Sequence, residues 1–256
     1  MCRPRIGDII CLVVSDSRID STNRILSALC DDSRDTLLSA MSRVTAPRGE
    51  RLYEAGANMS YVYFIESGMA SISKPMRDGR CVEIGAIGRE GITPPTAAFG
   101  IATTLLETTV QIPLIALRIR RDEFRRIVER DDRLGELLQG YIGVVLSQLM
   151  QTAACNAIHS IKERCCRWLL LAHDSTLADE FPLTHEFLAR VLCVRRAGVS
   201  IAIAALEAGR LIQNDRGKVI VRDRLGLERA ACECYADIHC RVESLFAGYG
   251  AARAYG

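Results

Sequence analysis

Residues 183–212, LTHEFLARVLCVRRAGVSIAIAALEAGRLI, constrain the fold more than any other stretch of the chain. They predict two amphipathic helices separated by only a few residues. Thr184 is a good N-cap for the first helix, because its hydroxyl can accept hydrogen bonds from the open backbone amides of the first turn. The second helix has an apolar face at helical spacing, formed by Val199, Ile203 and Leu206. Its first turn begins with two arginines, Arg195 and Arg196, and their placement needs a reason.

Two close helices, the second opening on arginine, have the layout of a helix-turn-helix, whose second helix enters the major groove by its N-terminal part. Arg196 lies opposite the apolar face, one turn before Ser200, and an arginine there can bond guanine O6 and N7. The alternative is a helical hairpin whose arginines are only solvated. The side chains predicted to contact DNA are Thr184, His185, Arg195, Arg196 and Ser200, together with Arg216 and Lys218 from a small β-hairpin predicted around residues 212–221.

The N-terminal half has a different pattern, with short alternating runs after Pro47. These runs predict strands at residues 61–65, 69–73, 81–84, 109–112 and 114–119. ESG at 66–68 and Asp78-Gly79 separate the first three, and Asp-Gly is a strong hairpin signal. Many short strands with turn signals predict an antiparallel sandwich or barrel. Ahead of them, residues 22–43 have helical spacing.

From Arg121 onward the period becomes helical again. A long stripe of side chains runs along one predicted helix, formed by Leu134, Leu138, Tyr141, Val145, Gln148 and Thr152. The pattern is nearly a heptad and favours a dimer seam. The alternative is a helix that packs on its own sheet. Residues 156–160 are typical of a break and mark the expected domain boundary.

Bulk composition narrows the partners. A net charge of +2 gives no global attraction for a polyanion, so a nucleic-acid surface must be a local patch. The apolar run at residues 9–14 is far shorter than the roughly 20 residues of a membrane span. Acidic residues flank it, unlike a signal peptide. We therefore expect a cytoplasmic protein with no membrane partner.

The 11 cysteines are scattered and odd in number, which disfavours a disulfide scaffold. The CEC at residues 232–234, with Cys240 beyond it, leaves metal binding or oxidant sensing open. No standard zinc spacing is present, so we predict no metal site and no cofactor. None of the four histidines stands in a metal or nucleophile signature and no glycine loop fits a nucleotide motif, so we predict no enzyme.

The order of these parts resembles the Crp/Fnr family of bacterial transcription regulators. Residues 183–212 carry most of the likeness, and GERLYEAGA and VYFIESG in the N-terminal half carry a second part of it. The likeness extends from about Asn23 to about Tyr235. It implies a homodimer that binds two-fold symmetric double-stranded DNA and acts with RNA polymerase. It also implies a small-molecule effector, of unknown identity, in the N-terminal domain.

The chain departs from the family in the effector region. In members that bind cyclic nucleotides, a Gly-Glu pair holds the ribose and a downstream Arg-Ser pair holds the cyclic phosphate. Here the first region reads GREGITPPTAAFG, which leaves Arg89, Glu90 and Gly91 as candidates for the effector pocket. The second reads TTLLETTVQIP, without arginine, and a buried phosphate without a cation is costly. We therefore expect an effector other than cAMP.

The predicted reading helix departs as well. Cys193 stands where the family usually has a glycine in the tight turn, so some backbone strain is expected. Family members that read TGTGA half-sites carry glutamate and arginine where this chain has Ala197 and Ile201. Arg196 is retained, so the operator is expected to differ while keeping a guanine opposite that arginine.

The expected fold class is α+β: an N-terminal double-stranded β-helix (jelly-roll) like that of cyclic-nucleotide-binding domains, a long dimerisation helix and a C-terminal winged helix-turn-helix. The predicted divisions are an extension at 1–22, an effector-sensing domain at 23–130, a dimerisation helix at 131–157 and a DNA-binding domain with tail at 158–256. The expected function is a homodimeric, sequence-specific transcription regulator. The alternative is a cysteine-based redox or metal sensor of the same architecture, again with DNA binding as output.

Overall fold

The structure is a computed structural model that describes residues 21–79 and 81–250. The predicted extension at 1–22 lies outside the described residues except for its last two, and the apolar run at 9–14 lies outside them entirely. Within the described residues, no helix combines the length and the apolar character that a membrane span requires.

Two short helices open the N-terminal half, α1 (Arg24–Ala28) and α2 (Asp31–Ser39). Six strands follow: β1 (Ser42–Ala46), β2 (Arg51–Tyr53), β3 (Tyr61–Pro75), β4 (Cys81–Ile87), β5 (Ile92–Thr93) and β6 (Glu107–Arg120). They form an antiparallel sheet in the order β1-β6-β3-β4, with β2 paired to β6 and β5 to β3. We call these strands the β-roll. Its expected jelly-roll-like character is confirmed.

The C-terminal half is mainly helical. Its elements are α3 (Arg121–Val128), α4 (Asp132–Ile158), α5 (Ile161–Thr176), β7 (Glu180–Pro182), α6 (His185–Val191), α7 (Arg196–Ala208), β8 (Ile212–Asp215), β9 (Lys218–Val221), α8 (Arg224–Ala230) and α9 (Glu233–Gly250). The break between α4 and α5 falls at His159 and Ser160, inside the predicted break. Ser160 and Glu163 form a reciprocal capping box that starts α5.

The helical spacing of residues 22–43 corresponds to two short helices, α1 and α2, and does not extend to the last residues of that range. The backbone turns extended at Leu29, which separates α1 from α2, and residues 42 and 43 already belong to β1. A tertiary tie fixes the short first helix. Buried Asn23 caps α1 with its side-chain oxygen, while its Nδ2 donates to the carbonyl oxygens of Ile65 and Gly91, both at 2.8 Å. Tertiary packing here overrides the helical period.

The predicted turn at residues 66–68 is also wrong, because β3 runs through it as one strand. The register with β6 shifts on either side of Ser67, so the segment is a bulge. Gly68 has φ +90, and a Cβ there would lie 2.1 Å from the Pro113 carbonyl oxygen, which explains the glycine. The hairpin at Asp78-Gly79 is confirmed: β3 and β4 pair on either side of it, residues 76–79 lie in its loop, and Gly79 alone of the pair has positive φ.

The stripe predicted as a dimer seam is used inside the subunit, so that prediction is wrong. Leu134, Leu138 and Tyr141 are at most 2% exposed and pack in one core with the β-roll. The Tyr141 hydroxyl donates to the Ile92 carbonyl oxygen at 3.0 Å and accepts from its amide at 3.1 Å. Along the rest of the stripe, Val145 is also in this core, Gln148 donates to the Ala86 carbonyl oxygen, and Thr152 accepts from Arg167. The alternative, a helix packed on its own sheet, describes this face of α4.

A second face of α4 packs against α9, a helix that the sequence analysis did not predict. Gly140 gives the close approach, since a Cβ there would lie 2.6 Å from the Leu245 side chain. On α1, Arg24 pairs with Glu243 of α9 and its guanidinium lies 4.4 Å from the centre of the Phe246 ring. Helix α9 is therefore fastened to the N-terminal half.

A buried carboxyl lies where the β-roll meets α5. Burial raises the pKa of Glu83 to about 7, although the nearby Ser71 and Trp168 side chains and the Arg167 guanidinium act to lower it. The folded protein therefore holds this proton at pH values where the unfolded chain, with a pKa of 4.5, has lost it. Stability from this group is lost as the pH rises from about 4.5 through about 7.

We expect Glu83→Gln to raise the thermal unfolding midpoint at pH 8 more than at pH 5.5, because glutamine carries no charge to bury. The double difference between the two proteins and the two pH values removes the effects of other titrating groups. The predicted gain at the higher pH is roughly 1–3 kcal/mol, since one pKa unit corresponds to about 1.4 kcal/mol. An equal effect at both pH values would contradict the assignment.

Candidate nucleic-acid interface

The helix-turn-helix consists of α6, α7 and the tight connection between them. Thr184 caps α6, as predicted, by accepting from the Phe187 amide at 3.2 Å. Cys193 takes φ +53, the left-handed region that favours glycine, so the strain expected at this position is present. The buried Arg164 of α5 donates to the Leu192 carbonyl oxygen and thereby holds the turn against α5.

Packing fixes the direction in which α7 faces. Val199, Ile203 and Leu206 are at most 1% exposed. They lie in the core shared with α5, α6 and the strands β7, β8 and β9. Trp168 of α5 and Phe187 of α6 meet edge to face, with ring centres 5.4 Å apart. Because this side of α7 is buried, the opposite side must face outward.

The outward side of α7 begins with the two arginines. Arg195 is the N-cap residue of α7, and Arg195, Arg196 and Ala197 are all exposed. The first amides of the helix have no side-chain cap from Arg195, which leaves the positive end of the helix dipole open. One turn on, Ile201 is 72% exposed. The open end of α7 therefore combines cationic side chains with a short apolar surface.

Other predicted DNA contacts lie between the elements. His185 Nδ1 is 2.9 Å from the Ser200 hydroxyl, and its Nε2 is 3.4 Å from the Asn214 side-chain nitrogen. His185 therefore bridges the start of α6, the middle of α7 and strand β8. Ser200 is partly buried and Thr184 is occupied by its cap, so these three side chains position the helices. Asn214 was missed because its partner is 29 residues away.

The predicted hairpin is present as β8 and β9, and β7 adds a third strand to it. Its two-residue turn is Arg216-Gly217, with φ +34 and +87, values of the sign that a type I′ turn requires. Arg216 is exposed at the tip. Lys218 is exposed as well and pairs with Glu180 at 2.5 Å, and this carboxylate raises the pKa of the lysine. Such exposed pairs are weak, so the ammonium group can exchange the carboxylate for a phosphate.

The predicted effector residues form the loop between β4 and β5. Glu90 accepts from the Gly88 amide at 2.8 Å, and burial raises the pKa of its carboxyl. Arg89 donates to the Asp174 carbonyl oxygen of α5 at 3.2 Å, so it links the β-roll to the C-terminal half. A Cβ at Gly91 would lie 2.1 Å from the Tyr141 hydroxyl. These contacts make the loop part of the interface between the two halves.

A cavity of about 100 Å³ adjoins this loop, with Gln148 of α4 and Tyr235 and His239 of the C-terminal half in its wall. Pockets for small organic ligands usually measure roughly 300–1,000 Å³. The space next to the GREG loop is therefore small for a nucleotide in this conformation.

Comparison with known proteins supports both halves of the fold. A domain model described as a cyclic nucleotide-binding domain matches residues 43–131, and one described as a Crp-like helix-turn-helix domain matches residues 163–230. No curated protein matches the chain. The two domains, in this order on this fold, place the chain in the Crp/Fnr family of transcription regulators, which act by binding DNA.

Solved structures show the same fold at low sequence identity. FixK2 from Bradyrhizobium japonicum is 16% identical and superimposes with a TM-score of 0.62, covering 75% of this chain and 98% of its own. The c-di-GMP responsive regulator CLP of Xanthomonas campestris is 17% identical, with a TM-score of 0.57 and coverage of 75% and 99%. A transcriptional regulator of the CRP family from Thermus thermophilus is 20% identical, with a TM-score of 0.53 and coverage of 73% and 95%.

Proposed function

We propose that this protein is a homodimeric, sequence-specific regulator that places the two α7 helices in successive major grooves and acts with RNA polymerase at promoters. The observation that carries the proposal is the exposed Arg195-Arg196 pair at the open end of a helix whose other side is buried. Sensing is assigned to residues 23–130, dimerisation to 131–157 and DNA binding to 158–256.

Arg196 is proposed to read a guanine, while Arg195, Arg216 and Lys218 neutralise phosphates. A guanidinium can form two hydrogen bonds with guanine, to O6 and N7, and so recognise this base. The cations of the β8–β9 hairpin contact phosphates instead, which adds affinity without sequence information. Thr184, His185 and Ser200 belong to the same surface, and the proposal gives them the role of holding α6, α7 and β8 in register. The four histidines are given no catalytic role.

We expect Arg196→Ala to weaken binding to a duplex selected by the wild-type protein by about 1–3 kcal/mol and to relax the preference at one base pair. Lys218→Ala should weaken all duplexes alike and reduce the salt slope by about 1. Fluorescence anisotropy with selected and scrambled duplexes at several salt concentrations measures both effects. Arg126→Ala, on the exposed surface of α3, is the control. Loss of specificity in the lysine variant equal to that in the Arg196 variant would contradict the assignment.

The proposed dimer surface is the third face of α4, which is apolar and exposed in the subunit. Leu146 is 50% exposed and Met150 62% exposed. With exposed neighbours they form a seam whose spacing alternates between three and four residues: Gly143, Leu146, Met150, Ala153 and Ala157. This is the spacing of a two-helix coiled coil, and the small residues permit close approach. The seam lies on the side of α4 away from the β-roll.

We expect the wild-type protein to sediment as a dimer and Leu146→Glu to shift it toward the monomer, because a charge at the seam opposes helix pairing. Sedimentation velocity measures the change. Leu105→Glu changes a residue that is 75% exposed in the N-terminal half, away from the seam, and should remain dimeric. A wild-type monomer at high concentration, or a dimeric Leu146→Glu protein, would overturn the proposed surface.

We propose that the small-molecule effector of this protein, whose identity is unknown, is a compound other than cAMP. Support comes from the small cavity beside Arg89 and Glu90, from the contact of Arg89 with α5, and from the lack of arginine in TTLLETTVQIP. Without an arginine in this segment, the cation that would offset the cost of burying a cyclic phosphate there is missing.

Calorimetric titration of the wild-type protein with cAMP should therefore give no binding in the micromolar range. The DNA affinity measured by anisotropy should also be unchanged by cAMP. Micromolar binding with one site per chain would contradict this prediction.

A further inference from the structure

Four side chains with metal-binding atoms converge where α4 ends and α9 begins. Cys155 lies in the last turn of α4, His159 is the residue that ends it, and Cys232 and Cys234 lie at the start of α9. The sulfurs of Cys155 and Cys232 are 3.6 Å apart, and the Cys234 sulfur is 3.5 Å from His159 Nδ1. All four ligand atoms lie within 4.8 Å of one another.

These distances fit a tetrahedral metal ion. Zinc–sulfur bonds of about 2.3 Å and zinc–nitrogen bonds of about 2.0–2.1 Å place ligand atoms about 3.5–3.8 Å apart in a tetrahedron. Two of the separations already have this size. Three thiolates and one imidazole are a ligand set that Zn²⁺ uses in structural sites.

Neighbouring side chains hold two of the ligands in place. Glu233 is 3.2 Å from His159 Nε2, so the carboxylate can accept the proton on that nitrogen and leave Nδ1 for a metal. Gln151 donates to the Cys234 sulfur at 3.0 Å. A carboxylate behind a ligating histidine and a hydrogen bond to a thiolate are the usual second layer of a metal site.

The three cysteines differ from those that only fill space. Cys165 and Cys166 lie within the large core around α5, among leucines and aromatic rings. Cys155, Cys232 and Cys234 instead form a separate buried group of their own, beside a polar histidine and glutamine. The buried Arg167 bonds to Thr152 one turn before Cys155, so it can balance the negative charge of three thiolates around a divalent ion.

We propose that Cys155, His159, Cys232 and Cys234 form a tetrahedral Zn²⁺ site that fastens the start of α9 to the end of the long helix. Two ligands lie at the end of α4, directly before its junction with α5, and the other two follow the helix-turn-helix and its hairpin. A metal here restrains movement of the DNA-binding domain about that junction. The inference goes beyond the proposed function, and its test needs no DNA.

The experiment uses the full-length protein, kept reduced and freed of metal with a chelator. Zn²⁺ affinity is measured by competition with a chromophoric chelator, and Co²⁺ serves as a spectroscopic probe. We expect one tight site per chain, thiolate-to-cobalt charge-transfer bands, and displacement of Co²⁺ by Zn²⁺. Glu233→Gln should weaken the affinity about 10–100-fold, since it removes only the partner of the histidine.

His159→Ala and Cys234→Ser should lose the tight site. Cys240→Ser, which changes an exposed cysteine elsewhere on α9, should retain it. Circular dichroism checks that each variant is folded, and the cobalt spectrum of the wild-type protein tests the site without any substitution. Absence of tight binding by the reduced wild-type protein would overturn the proposal. Binding that survives in Cys234→Ser, or rapid oxidation to a Cys155–Cys232 disulfide in place of metal binding, would do the same.

Discussion

The surface of one helix limits the rest of the architecture. Helix α4 is 27 residues long and packs against different neighbours on different sides. Its most apolar stripe is covered by the β-roll, where the Tyr141 hydroxyl satisfies both backbone groups of buried Ile92. A second side receives α9 at Gly140. The side that remains is apolar and exposed, and a partner helix can bury it. If the β-roll did not cover the first stripe, neither the proposed dimer surface nor the position of the helix-turn-helix relative to α4 would be defined.

The same packing logic sets the direction of the arginines. Arg196 faces outward because Val199, Ile203 and Leu206 are committed to the core below α7. His185, at the start of α6, then fixes the position of α7 through Ser200 and that of strand β8 through Asn214. Reading a base requires side chains on a rigid support, so the proposed recognition by Arg196 depends on these internal contacts as well as on the arginine.

Local patterns in the sequence predicted the parts that depend on local chemistry. Thr184 as a cap, the buried face of α7, the turn at Cys193 and the small hairpin all follow from residues within one or two turns of each other. The proposed dimer face could not be predicted in this way, because two apolar stripes share α4 and the choice between them depends on where the β-roll packs. The nearly heptad period was a real signal, but tertiary packing decided which face it described.

Contacts between residues that lie far apart in the chain could not be predicted from local sequence patterns either. Asn23 was read only as part of a helix, although its side chain joins segments 42 and 68 residues away. Cys155 and Cys232, two members of the cysteine and histidine cluster, are 77 residues apart in the chain, so the sequence contains no compact zinc-binding spacing that would predict the cluster. Cys155 and His159, four residues apart on one helix, were the available local hint. CEC at residues 232–234 became meaningful only when α9 was found folded back onto α4.

Selection from a pool of random duplexes tests the central claim most directly. The account predicts a two-fold symmetric site whose halves lie about one helical turn, 10–10.5 base pairs, apart, as docking of paired reading helices requires. Each half should contain a guanine whose enrichment is lost with Arg196→Ala, and the half-site should differ from TGTGA. Recovery of no preferred sequence, of a single unpaired half-site, or of TGTGA itself would contradict the account.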